Sequence, residues 1–193
     1  MEKLIGNKIN TAVFISGRGS NLKSLIKYSK SKSSPIKIKL VFSDKLRAKG
    51  LKYAKKSKIK FFVSSYKPRN ISEKLILKKL NMFKIDLICL AGFMKILSAN
   101  FIKNFKKPIL NIHPSLLPKY RGLKTHERVL KNNEKVSGST VHLVSKKLDS
   151  GRIILQKKVK ILKSDNAKTL ERKILKIEHF LYPKAIYKFL SNL

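Results

Sequence analysis

Leu87-Ile88-Cys89-Leu90-Ala91, entered at Asp86 and left at Gly92, is apolar at every position. A strand with one wet face alternates polar and apolar side chains. A run without alternation is instead suited to a parallel sheet covered on both faces. Other segments agree. Thr11-Ala12-Val13-Phe14-Ile15 reads as a buried strand; Ser16-Gly17-Arg18-Gly19-Ser20-Asn21 leads from it into Leu22-Lys23-Ser24-Leu25-Ile26, whose apolar spacing is helical. Further strands are expected at 37–42, 59–63 and 109–112, with helices at 50–57 and 70–83. Strands alternating with helices at these lengths predict an α/β fold: an open, doubly wound, mainly parallel sheet with helices on both faces. Beyond Pro118 the pattern changes to a helix at 124–131, a strand pair at 139–144 and 153–160, and a mainly helical stretch at 166–190.

The 193 residues suit one domain, expected to run over 1–193 with no linker or repeat. No apolar stretch approaches the roughly 18 to 20 residues that cross a bilayer, and residues 1–7 hold no apolar signal core. The expected location is therefore cytoplasmic, without a membrane partner. Cys89, inside its apolar run, is expected to pack as a small hydrophobe, and no metal site is indicated. The net charge of +36 would ordinarily suggest nucleic acid. However, only seven of the 46 basic residues are Arg, and never more than two basic residues are adjacent. Dispersed Lys on solvated faces is the expectation, with no specific nucleic-acid partner.

Ligands of open parallel sheets bind at the carboxyl ends of the strands. Residues 17–21, 92–97 and 111–118 each follow an expected strand directly. In an extended chain Asn111 and His113 point the same way while Ile112 points into the core, and Pro114 and Pro118 make the following loop stiff. An amide that can donate to an oxyanion thus stands beside an imidazole that can move a proton. The plainer alternative is a satisfied histidine beside a turn. Gly17-Arg18-Gly19-Ser20-Asn21 opens a helix, where free amides and the dipole favour an anion such as phosphate; it lacks the Walker lysine and the third dinucleotide-fingerprint glycine, and a simple cap at Ser20 or Asn21 is the alternative. A phosphate or sulfate is expected at this helix start.

Together these motifs resemble the phosphoribosylglycinamide formyltransferase family. The resemblance rests on Ile15 to Leu22, Leu90 to Ser98, Asn111 to Tyr120, and Gly138-Ser139-Thr140-Val141-His142-Leu143-Val144 continuing to Leu148-Asp149-Ser150-Gly151, with a weaker block at Glu178-His179-Phe180-Leu181-Tyr182-Pro183. It implies a formyltransferase-like Rossmann variant. It also implies transfer of a formyl group from 10-formyltetrahydrofolate, as cosubstrate, to the amine of glycinamide ribonucleotide in purine biosynthesis.

The resemblance assigns catalysis to Asn111, protonated His113 and Asp149, with pairing expected to favour the ionised aspartate and raise the His pKa. Gly19, Ser20, Asn21 and Glu178 would hold the nucleotide, although Glu178 could be a surface helix residue. Arg69, Met94, Lys95, Ile96, Leu97, Asn111, Ser145, Lys146, Lys147, Leu148 and Asp149 would hold the folate; for Ile96 and Leu97, ordinary core packing is the alternative. Thr140 and His142 would support the Asp149 loop or its water.

Some features depart from the family. The loop after Pro118 reads Lys119-Tyr120-Arg121-Gly122, Leu175 stands where a polar ribose contact is common, and the chain is short at its end and very basic. Methionyl-tRNA formyltransferase shares the Asn, His, Asp set but carries a further tRNA domain. A formyltetrahydrofolate hydrolase would need an extra regulatory domain, and a nonenzymatic RNA-binding module would have no need of all three groups. The oligomeric state is left as monomer or homodimer.

Overall fold

The computed structural model describes residues 8–192, so residues 1–7, read above as lacking a signal core, and Leu193 lie outside the described residues. Six α-helices and seven strands occur among the described residues. They fall into two compact units that divide after Leu110.

The first unit is built on β1 (Ile9–Ile15), β2 (Ile36–Ser43), β3 (Lys60–Val63) and β4 (Leu87–Leu90), with α1 (Ser20–Ser29), α2 (Leu51–Lys56), α3 (Arg69–Met82) and α4 (Ala99–Phe105). β1 pairs in parallel with both β2 and β4, and β2 pairs in parallel with β3. All four residues of β4 are buried, Cys89 with them, as its unbroken apolar run requires. Phe14 forms the aromatic heart of this core. Its ring lies 5.0 Å from Phe42, 5.5 Å from Phe93 and 6.5 Å from Phe101, all edge-on.

Helix α4 was not expected from the sequence. It is short, capped by Ser98, whose hydroxyl accepts from the Phe101 amide at 2.9 Å, and anchored by Phe101 and Phe105, four residues apart on its buried side.

β5 (Ile109–His113) carries the chain into the second unit, which holds α5 (Thr125–Lys131), β6 (Val136–Leu143), β7 (Ile153–Lys160) and α6 (Ala167–Ser191). β6 and β7 are antiparallel. The pairings therefore make a mainly parallel, open α/β fold with one antiparallel pair. α6 begins with a capping box: the Asn166 side chain accepts from the Lys168 and Thr169 amides, and the Thr169 hydroxyl accepts from the Asn166 amide. Its Leu170 and Ile174 close on Val129 of α5, with Tyr120, Val159 and Ile161 packed around them.

On β7, Lys157, Lys158 and Lys160 are exposed, in keeping with lysine spread over solvated faces. No helix among the described residues is long and apolar enough to cross a membrane.

Candidate active site

Asn111 and His113, two residues apart on β5, do share a face, and the second unit brings Asp149 and His142 to them. His113 Nδ1 lies 3.4 Å from Asp149 Oδ2. The Asn111 amide nitrogen lies 3.4 Å from Asp149 Oδ1 and 3.2 Å from His142 Nε2. His142 Nε2 is itself 3.6 Å from Asp149 Oδ1. His113, His142 and Asp149 are buried, and Asn111 is half-buried. The Leu-Asp-Ser-Gly loop thus presents Asp149 to the site, with Asp149 itself in the left-handed region at φ 45°.

Backbone groups set the protons. A carbonyl only accepts, so His113 Nε2, 2.9 Å from the Tyr120 carbonyl oxygen, carries a proton and donates it. His142 Nδ1 likewise donates to the Leu143 carbonyl at 2.8 Å, which leaves Nε2 free to accept from Asn111. The Asn111 nitrogen must face the Asp149 carboxylate, since the amide oxygen there would set two acceptors against each other. Both hydrogens of Asn111 are therefore engaged within the protein, a detail that side-chain spacing does not foretell. Asp149 Oδ2 is also held by the Gly122 amide at 2.9 Å.

The electrostatics correct one expectation. Burial raises the Asp149 carboxyl, but its polar surroundings, the donating Gly122 amide among them, outweigh it and leave the pKa below the ordinary value. For His113 burial wins. Its pKa is lowered, although the Tyr120 carbonyl and Asp149 pull the other way, so pairing with the aspartate does not raise it as the sequence reading expected. His126, whose buried Nδ1 has no hydrogen-bond partner, is lowered by burial too, opposed by Glu171.

Between these lowered values and the ordinary histidine pKa of about 6.5, the unfolded chain binds more protons than the folded one, so stability falls as pH drops through that window. Asp149 acts further down: its contribution is present above the ordinary carboxyl pKa and is lost as pH falls through its lowered folded value. The thermal midpoint, followed by calorimetry, is expected to decline from pH 7.5 to 5. His126→Asn should flatten that decline, and a wild-type midpoint independent of pH would contradict the assignment.

In the first unit, Gly19 is the N-cap of α1, with φ 72° and no side-chain cap bond. The helix therefore starts at Ser20, and neither Ser20 nor Asn21 is its cap. Gly19 is required twice over: by its left-handed backbone, and because a Cβ there would stand 2.5 Å from the Gly50 Cα. The Gly50 amide in turn donates to the Gly17 carbonyl at 2.9 Å. The first turn carries no acidic residue, leaving its amides suited to an anion.

The 92–97 segment is tied to this loop through Ser16, whose amide donates to the Gly92 carbonyl at 3.1 Å and whose hydroxyl accepts from the Met94 amide at 2.8 Å. Met94 and Ile96 are exposed, so Ile96 is not core, whereas Leu97 is buried. Lys95 Nζ stands 3.9 Å from buried Asp44. Arg69, at the start of α3, is exposed.

In the second unit, Ser145 and Ser150 donate to the Lys147 carbonyl at 3.0 and 2.8 Å, folding the 145–150 loop on itself, while Lys146, Lys147 and Leu148 remain at the surface. Thr140 faces the 115–117 backbone. Glu178 is not a surface residue: it is buried, and Ser139 donates to it at 3.4 Å.

Comparison with known proteins identifies the family. The formyl transferase family model matches residues 9–186. Phosphoribosylglycinamide formyltransferase of Escherichia coli K12 is 38% identical over 184 residues, covering 94% of this chain and 87% of that protein. The trifunctional purine biosynthetic protein adenosine-3 of Gallus gallus is 40% identical over 187 residues, but there the chain spans only 19% of the relative's length. The crystal structure of phosphoribosylglycinamide formyltransferase from Brucella melitensis matches with a TM-score of 0.90 at 44% identity, over 95% of this chain and 96% of that one. With its fold and its sequence both matched nearly end to end, the chain belongs to the formyl transferase family, among the phosphoribosylglycinamide formyltransferases.

Proposed function

We propose that residues 1–193 act as one formyltransferase domain, moving a formyl group from 10-formyltetrahydrofolate to the amine of glycinamide ribonucleotide through Asn111, His113 and Asp149. The observation that carries this reading is the buried cluster itself, an amide and an imidazole both within 3.4 Å of one carboxylate. The amine nitrogen bonds to the formyl carbon, the carbonyl oxygen becomes an oxyanion, and the bond from that carbon to the folate N10 then breaks. The proton lost by the amine ends on N10.

Asn111 donates to the oxyanion by exchanging one of its long contacts, 3.2 Å to His142 or 3.4 Å to Asp149, for the developing charge. His113, kept ready as a base by burial, takes the amine proton at Nδ1 directly or through water. The imidazolium so formed faces Asp149, which is held ionised, and adds its charge to oxyanion stabilisation.

By family resemblance, Gly19, Ser20, Asn21 and Glu178 hold the nucleotide. Arg69, Met94 to Leu97 and Ser145 to Leu148 serve the folate, with Thr140 and His142 in support. The family resemblance supports these ligand roles; the amides at the start of α1 add a physical reason for phosphate there.

The test is a coupled assay of the purified chain with 10-formyltetrahydrofolate, offering glycinamide ribonucleotide in one tube and formylatable tRNA in another. Turnover with the ribonucleotide is expected; turnover with tRNA alone would overturn the reading.

A further inference from the structure

Gln156 stands opposite Thr140 in the β6–β7 pairing and is exposed, yet its amide nitrogen serves buried partners. One hydrogen goes to the Leu117 carbonyl at 2.8 Å and the other to the Thr140 hydroxyl oxygen at 2.8 Å. The Leu117 carbonyl accepts only, so the nitrogen end of the amide must lie there. Thr140, fully buried, donates in turn to the Ser115 carbonyl at 2.6 Å and accepts from the Leu117 amide at 3.1 Å. Its hydroxyl thereby uses its one hydrogen and both lone pairs.

Three backbone groups of the 115–117 segment are thus fixed by two side chains on neighbouring strands. The same segment leads to the histidine. The Ser115 hydroxyl donates to the Lys119 carbonyl at 2.7 Å and contacts the Tyr120 carbonyl at 3.5 Å, and that Tyr120 oxygen receives the His113 Nε2 proton. Tyr120 holds its position with a left-handed backbone, φ 57°, so its carbonyl depends on the surrounding loop staying in place.

We infer that Gln156 is a positioning residue for formyl transfer: acting through Thr140 and the 115–117 backbone, it places the Tyr120 carbonyl that orients the His113 ring. The inference rests on the role given to His113 above. Chemistry, not bulk, is what the position demands, because a glutamate of the same shape offers no hydrogens and turns a charged acceptor towards two others.

The test uses the full chain. Gln156→Glu and Gln156→Met are expected to lower kcat about tenfold while the KM values for ribonucleotide and folate stay within about twofold, since the loss falls on the chemical step. Thr140→Val should do the same, Thr140→Ser should recover most of that loss, and the Gln156→Glu/Thr140→Val pair should cost little more than either change alone. In proton NMR the hydrogen-bonded Nε2–H resonance of His113 should shift upfield in Gln156→Glu.

Unchanged kcat, a loss confined to KM, fully additive variants or an unmoved His113 resonance would each overturn the inference. Were the wild type to show no formyl transfer, the proposed function would fall, while the NMR comparison would still decide whether Gln156 places His113.

Discussion

His113→Ala is expected to lower kcat for formyl transfer by about 10³-fold, within the range that a positioned general acid–base group contributes, with both KM values changed little. The size follows from what alanine removes. It takes away the base that receives the amine proton and the cation that forms beside the oxyanion, and it leaves Asp149, held ionised beside it, without that imidazole partner. Water admitted to the space can accept a proton, but it is neither held nor tuned.

Asn111→Ala should cost about 10² to 10³, the loss typical of one oxyanion donor, and Asp149→Asn should fall between the two. Steady-state kinetics with both substrates varied distinguishes these outcomes, and a His113→Ala enzyme within tenfold of wild type would falsify the assigned role. Since His113 is buried, circular dichroism and a thermal scan of the same sample establish that the variant is folded.

What the sequence made legible tracks how locally each feature is encoded. The apolar runs at 11–15 and 87–91 announce buried strands because burial on both faces leaves no other composition open to them. Asn111 and His113 could be placed on one face by the two-residue period of a strand. Helix α4 was missed since seven residues hold too little periodicity, although Ser98 followed by Phe101 and Phe105 was the available signal.

Asp149 lies 36 residues beyond His113, and nothing local joins them; the family resemblance, not spacing, put it in the site. The Tyr120 carbonyl and the Gly122 amide carry no side-chain signature at all, because any residue supplies a backbone group. The direction of the His113 pKa was misjudged for a related reason. A sequence suggests the partner, whereas the opposing cost of burial depends on what the fold packs around the ring.

Gly151 shows how tightly backbone position and chemistry are joined, and Gly151→Ala is the second change expected to have a large effect. A Cβ at this position would stand 1.8 Å from the Leu143 carbonyl oxygen and 2.8 Å from its carbon, both main-chain atoms that cannot swing aside. Either the 149–151 loop or the end of β6 must move. The same oxygen receives the His142 Nδ1 proton at 2.8 Å, and the Leu143 amide donates to the Arg152 carbonyl at 2.9 Å. Displacement on one side carries Asp149 away from His113; on the other it frees His142, and with it the ring nitrogen that Asn111 contacts.

The expected cost is about 3 kcal/mol of stability, the upper end of the usual range for overpacked sites, with kcat reduced about 10²-fold or more in whatever protein folds. Urea unfolding gives the first figure and the formyl-transfer assay the second. Gly17→Ala is the control for stability alone, because a Cβ there meets nothing within 4 Å. If Gly151→Ala kept the urea midpoint of Gly17→Ala and the kcat of the wild type, the close approach of these two segments would not be what holds Asp149 in the site.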